Sequence, residues 1–147
     1  MLAAFLLQSP NASAPIPLPK GVQALLEPIL DLRAEAESSA GEKQQVAFEK
    51  SEKLVAGLFK VKSKNADQAL VVLMNFYVGE SLQADLVHEV TLRGKRMLPL
   101  LVKYRQESVT FTDRKYPQSL SLAGDIRQRD FDNAINSVRS GKVFKVD

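Results

Sequence analysis

The sequence predicts a mainly α-helical protein, built as a compact bundle of about four to five helices with short extended segments near the C-terminus. Apolar residues recur three and four positions apart through the middle of the chain, and single glycines separate these periodic stretches. The chain has 147 residues, of which 45% are hydrophobic and 25% are charged. This length and composition suit one globular domain and differ from those of a disordered chain.

Residues 1–14 have the layout of a signal peptide. An apolar run at 2–7 is followed by Pro10 and then by Ala12-Ser13-Ala14, which matches an A-x-A cleavage site. No basic residue precedes this short run, so an apolar N-terminal arm is the alternative. We expect a leader at 1–14 and an exported protein, periplasmic or secreted; an uncleaved leader would indicate a cytoplasmic one. The run is too short to span a membrane, which takes about 20 apolar residues.

Prolines alternate with other residues just after the leader. Pro15, Pro17 and Pro19 fix their own φ angles and favour extended geometry in the residues before them. We therefore expect a stiff, polyproline-like lead-in at 15–20, which serves as a linker or, alternatively, binds a partner's groove. A single helical domain is expected to follow at 21–147.

Two amphipathic helices are predicted in the first part of that domain. The first begins near Gly21, and Pro28 inside its apolar stripe is expected to kink it or to mark a fresh start. The second is predicted over about 40–61, because Ser39 and Glu42 have the spacing of a capping box.

The next segment, residues 69–78, is apolar at nearly every position and fits either a central helix or a buried strand. Asn65, with Gln68 three positions later, forms a weak helix cap, and the length of the segment also favours a helix. A further helix is predicted from Ser81, interrupted at Gly94.

The C-terminal third combines short extended pieces with one helix. Residues 109–112, 120–122 and 142–146 are predicted as short strands. Between the last two, a helix is expected to begin with Asp125 as its cap and to end at Gly141 in a left-handed conformation.

The charges are divided unevenly along the chain, although the net charge is only +3. Residues 27–52 hold seven acidic and three basic residues, a balance of −4, whereas residues 93–115 hold seven basic and two acidic residues, a balance of +5. The basic segment can bind the phosphate or carboxylate of a partner, since the guanidinium fork makes bidentate bonds to both. Alternatively, it pairs with the acidic segment of the same chain. The predicted partner-binding residues are Arg93, Lys95, Arg96, Lys103 and Arg105.

Several classes of chemistry are excluded by residue content. The chain has no cysteine, which rules out disulfides, thiolate metal sites and a cysteine nucleophile. It has one histidine, too few for a zinc site of several imidazoles. No phosphate-binding glycine loop, dinucleotide fingerprint or nucleophile elbow occurs. We therefore predict no cofactor, no bound metal and no catalytic residues.

The sequence favours a non-catalytic binding protein whose partner is another protein or an anionic envelope component. Nucleic acid is disfavoured because the net charge is mild and, Tyr104 apart, no aromatic residues interleave the basic ones. The alternative is a small hydrolase or accessory enzyme subunit in which Asp85 orients His88 as a general base.

Overall fold

The computed structural model describes residues 15–145, so the predicted leader at 1–14 lies outside the described residues. The mainly α class is confirmed, but this part of the chain holds six helices rather than four to five. Gly94, with a φ of +84°, and a 3₁₀ turn at Lys95–Met97 separate two helices where one interrupted helix was expected. The helices are α1 (Lys20–Glu37), α2 (Gly41–Phe59), α3 (Lys64–Leu73), α4 (Glu80–Leu92), α5 (Leu98–Gln106) and α6 (Gly124–Ser140).

Helix α3 lies in the centre of the bundle. Its residues from Ala69 to Leu73 are helical and buried, as expected for a helix that is apolar on every side. The helix ends at Leu73, and Phe76 forms an antiparallel bridge with Ser121. The segment predicted as a helix or a strand is therefore helical to Leu73, forms a turn at residues 74–75 and bridges to Ser121 at Phe76.

Two short strands replace the small sheet expected near the C-terminus. Strand β1 (Ile16–Pro17) pairs in parallel with β2 (Val109–Thr110), and Leu18, directly after β1, is buried in the core. The proline-rich lead-in thus packs against the domain.

The other two predicted strands are not formed within the described residues. Residues 118–120 form a 3₁₀ turn, and the amides of Tyr77 and Leu122 instead bond to the carbonyls of Leu120 and Asn75. Residues 142–145 have no strand partner.

The helix caps differ from those the sequence predicts. Ser39 donates its hydroxyl to the carbonyl of Glu35 at the end of α1, so it does not cap α2. Ser63, rather than Asn65, caps α3 by accepting from the amide of Ala66 at 3.1 Å. Both differences arise because several hydroxyl and amide side chains at a helix junction compete for the same backbone groups.

The last helix follows its prediction more closely. Helix α6 begins at Gly124, with Asp125 in its first turn rather than at the cap. It ends at Gly141, whose φ of +72° is left-handed as predicted. Pro28 lies inside α1, which continues past it.

Candidate anion-binding site

The predicted partner-binding residues lie in two different environments. Arg93 is buried, and its guanidinium donates to Asp67 at 2.8 Å, to Glu89 at 3.3 Å and to the carbonyl of Phe59 at 3.0 Å. Arg93 therefore joins α2, α3 and α4 inside the bundle and does not belong to an exposed binding surface.

Arg96 shares the carboxylate of Asp67 with Arg93, at 2.9 Å, although its own side chain is largely exposed. Burial alone would raise the pKa of Asp67, but hydrogen bonds from Arg96 and Arg93 outweigh it and lower that pKa below its usual value. Lys95 and Lys103 are exposed and form no ion pair within residues 15–145.

The acidic and basic segments meet at Arg114. Its guanidinium donates to Glu27 at 2.7 Å and to both carboxylate oxygens of Asp31, which also accepts from the hydroxyl of Tyr116 at 2.7 Å. The hydrogen bonds that Arg114 donates to Glu27 and, secondarily, to Asp31 raise the pKa of Arg114 above its ordinary value. Part of the basic segment therefore pairs with the acidic segment, as the alternative interpretation expects.

Arg105 lines a cavity of about 560 Å³, which lies between the end of α5 with the residues that follow it, the first turn of α6, and the segments 75–76 and 118–122. This volume lies in the range typical of small-molecule sites, roughly 300–1,000 Å³. Arginine, amide and hydroxyl side chains dominate the polar lining, and Glu107 is its one carboxylate. The lining residues are Asn75, Phe76, Arg105, Gln106, Glu107, Ser108, Val109, Gln118, Ser121, Leu122 and Arg127.

The second arginine of this cavity is Arg127, in the first turn of α6. It donates to Oδ1 of Asn75 at 2.6 Å and to the carbonyl of Tyr104 at 2.5 Å, and its Cζ lies 4.9 Å from the ring centre of Phe131. Both acceptors are neutral, and no carboxylate of the described residues pairs with this half-buried guanidinium. Burial, and secondarily the charge of Arg105, lower the pKa of Arg127.

Arg105 differs from Arg127 because it already has an anionic partner. It holds Asp132 of α6 in a bidentate pair, at 2.7 and 3.4 Å, and both side chains are partly exposed. The charge of Arg105 is thus neutralised by a carboxylate that lies outside the cavity, whereas the charge of Arg127 is not neutralised.

Arg127 carried no signal in the sequence. It lies beyond the basic segment, in a helix with acidic and basic residues in similar number. Its neighbours in the cavity come from residue 75, residues 105–109 and residues 118–122, so no local motif joins them. Only the folded chain places Arg105 and Arg127 together.

The pair proposed for the hydrolase alternative is not formed. His88 contacts the carbonyl of Phe144 through Nδ1 at 2.5 Å, whereas Asp85 is exposed and makes no hydrogen bond with His88 in the described structure. His88 therefore fastens the C-terminal segment to α4, and the orienting contact that a general base needs is missing from this geometry.

The described residues, 15–145, contain neither a candidate metal cluster nor a candidate membrane span. No cluster of three or more acidic or histidine side chains in this range has the arrangement of a metal site, and none of its helices is long and apolar enough to cross a membrane. Comparison with protein-family models, curated proteins and solved structures found no match.

Proposed function

We propose that this chain is a non-catalytic binding protein that recognises an anionic group, a phosphate or a carboxylate, on a protein or envelope partner. The observation that carries the proposal is Arg127, a half-buried cation that bonds only to neutral acceptors and lines an open cavity. A charge withdrawn from water is costly unless it is paired. A bound anion would supply that pair.

The rest of the cavity supports an anionic ligand. Arg105 adds a second cation, and the amides and hydroxyls of Gln118, Ser108 and Ser121 supply neutral donors. Hydrogen bonds from charged donors are stronger than those between neutral groups, so the guanidinium of Arg127 supplies most of the affinity, and Arg105, which is already paired with Asp132, supplies less. Lys95 and Lys103, which are exposed and do not line the cavity, add to the positive field of the molecule that aids the approach of an anionic partner.

Phosphate and acetate, titrated into the ¹⁵N-labelled chain, test this proposal. The Nε–Hε signal of Arg127 and the amides of Ser108 and Ser121 should shift together and saturate. Arg127→Gln should weaken binding roughly tenfold or more, because a hydrogen bond to a charged group contributes about 1.5–3 kcal/mol.

Arg139→Gln is the matched control for that experiment. It removes the same charge from the same helix at an exposed position outside the cavity, so the dissociation constants should stay within about twofold of wild type. An equal loss in both variants, or no saturable shift at the cavity residues, would contradict the proposal.

Export is part of the proposal and is supported by the layout of residues 1–14. Intact mass of the protein from its native host should show cleavage after Ala14. A chain of full mass in the cytosolic fraction would contradict export, and would leave the anion-binding proposal to be judged by the titrations.

A further inference from the structure

A second arginine, Arg33 of α1, lies on the other side of the 118–122 segment and has a different environment. It is 5% exposed, and its Cζ lies 4.7 Å from the ring centre of Phe48 and 5.4 Å from that of Tyr77. Within residues 15–145 its guanidinium has no hydrogen bond and no ion pair. The two aromatic rings supply cation–π attraction but no acceptor for its N–H groups.

Arg33, Phe48 and Tyr77 together line two adjoining cavities. The smaller, of about 170 Å³, is also lined by Leu120, Ser119 and Glu37, and the Ser119 hydroxyl donates to Glu37 at 2.7 Å. The larger, of about 430 Å³, is open to solvent and is large enough for a small metabolite. Its remaining lining residues are Gln45, Glu52, Gly79, Glu80 and Ser81.

The charges of the larger cavity have a definite order. The cation, Arg33, forms the floor, and the exposed carboxylates of Glu52 and Glu80 stand at the rim. A simple anion would be attracted by Arg33 at the floor but repelled by the carboxylates at the rim. A simple cation would be attracted by the rim but repelled by Arg33. A ligand with a carboxylate at one end and an ammonium at the other satisfies both.

We propose that this cavity binds a zwitterionic amino acid, with its carboxylate on the guanidinium of Arg33 and an ammonium group between Glu52 and Glu80. The site is separate from the Arg105–Arg127 cavity, so it does not depend on the anion-binding proposal. The ligand's carboxylate gives Arg33 the acceptor that the protein does not provide, and bidentate pairing suits a guanidinium held between two rings.

Three related compounds serve as probes. L-lysine carries the carboxylate and two ammonium groups, 1,5-diaminopentane is the same molecule without the carboxylate, and acetate is a carboxylate alone. Titration by ¹⁵N NMR to about 10 mM covers the millimolar affinity that so small a ligand reaches. The Nε–Hε signal of Arg33 and the amides of Gly79 and Ser81 report occupancy of the cavity.

We expect saturable binding of L-lysine and binding at least about tenfold weaker for both other probes. Equal binding of 1,5-diaminopentane would show that the acidic rim alone captures cations, and equal binding of acetate would show an unselective anion site. Either result, or the absence of a saturable shift with L-lysine, would overturn the proposal.

Variants separate ligand binding from folding. Arg33→Met should abolish L-lysine binding without lowering the melting temperature, because it replaces an unpaired buried charge by an apolar side chain of similar length. Glu52→Gln should weaken L-lysine binding, whereas Glu42→Gln, on the same helix but outside this cavity, should not. If Arg33→Met binds L-lysine as well as wild type, the guanidinium is not the carboxylate receptor.

Discussion

The guanidinium of Arg93 joins three helices at one point. Its side chain is 1% exposed, and Asp67, which accepts from it, is nearly as buried. Breaking a buried ion pair leaves an uncompensated charge in the interior, so its loss costs far more than the loss of a surface pair. The network of Arg93, Asp67 and Glu89 should therefore be a major determinant of stability.

Asp67→Ala is expected to lower the free energy of unfolding by about 3 kcal/mol, because it removes the shorter of the two carboxylate contacts of the buried Arg93 guanidinium. Lys62→Ala is the control: it removes the exposed partner of Glu89, and its effect should be below about 1 kcal/mol. Urea denaturation of both variants checks the difference. Similar losses in the two variants would show that Arg93 does not need Asp67.

Asp130 is the buried carboxylate with an unsatisfied atom. Its Oδ2 has no hydrogen-bond partner among the described residues, Arg129 reaches only Oδ1 at 3.6 Å, and the neighbouring cavity also contains Glu80. Burial raises the pKa of Asp130 above its ordinary value of 3.8, although Arg129 opposes the shift.

Because the folded state holds the proton more tightly, wild type should lose stability as pH rises from the ordinary pKa of Asp130 through its raised value. Asp130→Asn removes this dependence and should stabilise the protein by about 1 kcal/mol at neutral pH, with little effect in acid. Melting curves of both proteins from acid to neutral pH give the difference. An advantage for the variant that is largest in acid would contradict this assignment.

At the scale of the element, two glycines illustrate how position decides the effect of a side chain. Gly141 ends α6 with a φ of +72°, which a Cβ disfavours, whereas Gly57 lies inside α2 with open space around it. Gly141→Ala should cost about 1 kcal/mol, and Gly57→Ala should stabilise by about 0.5–1 kcal/mol. Thermal denaturation should therefore show shifts of opposite sign; shifts of the same sign would contradict the helix boundaries.

The sequence predicts helices better than it predicts their caps or the extended segments. Apolar spacing located α1, α2 and α6, because a buried stripe depends on local periodicity alone. Helix α3 is capped by Ser63 rather than by Asn65. The segment 120–122, predicted as a strand, contains the end of a 3₁₀ turn and a single β-bridge. These outcomes depend on which neighbours the backbone groups meet after folding, which local sequence does not encode.

At the scale of the whole molecule, the lead-in belongs to the fold. Leu18 is 4% exposed beside the β1–β2 pair, so Leu18→Ala should lower the free energy of unfolding by about 2–4 kcal/mol. Leu92→Ala, at a position 53% exposed, should change it by less than about 0.5 kcal/mol. Urea denaturation compares them, and a negligible effect of Leu18→Ala would show that the lead-in is not docked.

The candidate site was only partly predictable. The uneven charge distribution identifies the basic segment that contains Arg105. The same segment also contains Arg93, which is buried and paired with Asp67, and Arg114, which pairs with Asp31. The sequence does not reveal Arg127, because what distinguishes this residue is the absence of an anionic partner. That absence depends on how α6 packs near residues 75–76 and 105–109 in the folded chain. Charge patterning locates cations, whereas their burial and their pairing in the folded chain determine which of them are free to bind.

The phosphate dissociation constant of Asp132→Asn tests the central claim most directly. This substitution removes the carboxylate that neutralises Arg105 from outside the cavity, while the partial exposure of the pair spares the fold. If Arg105 and Arg127 form an anion receptor, phosphate should bind about two- to fivefold more tightly than in wild type. An unchanged or weaker affinity in a folded Asp132→Asn protein would contradict the account.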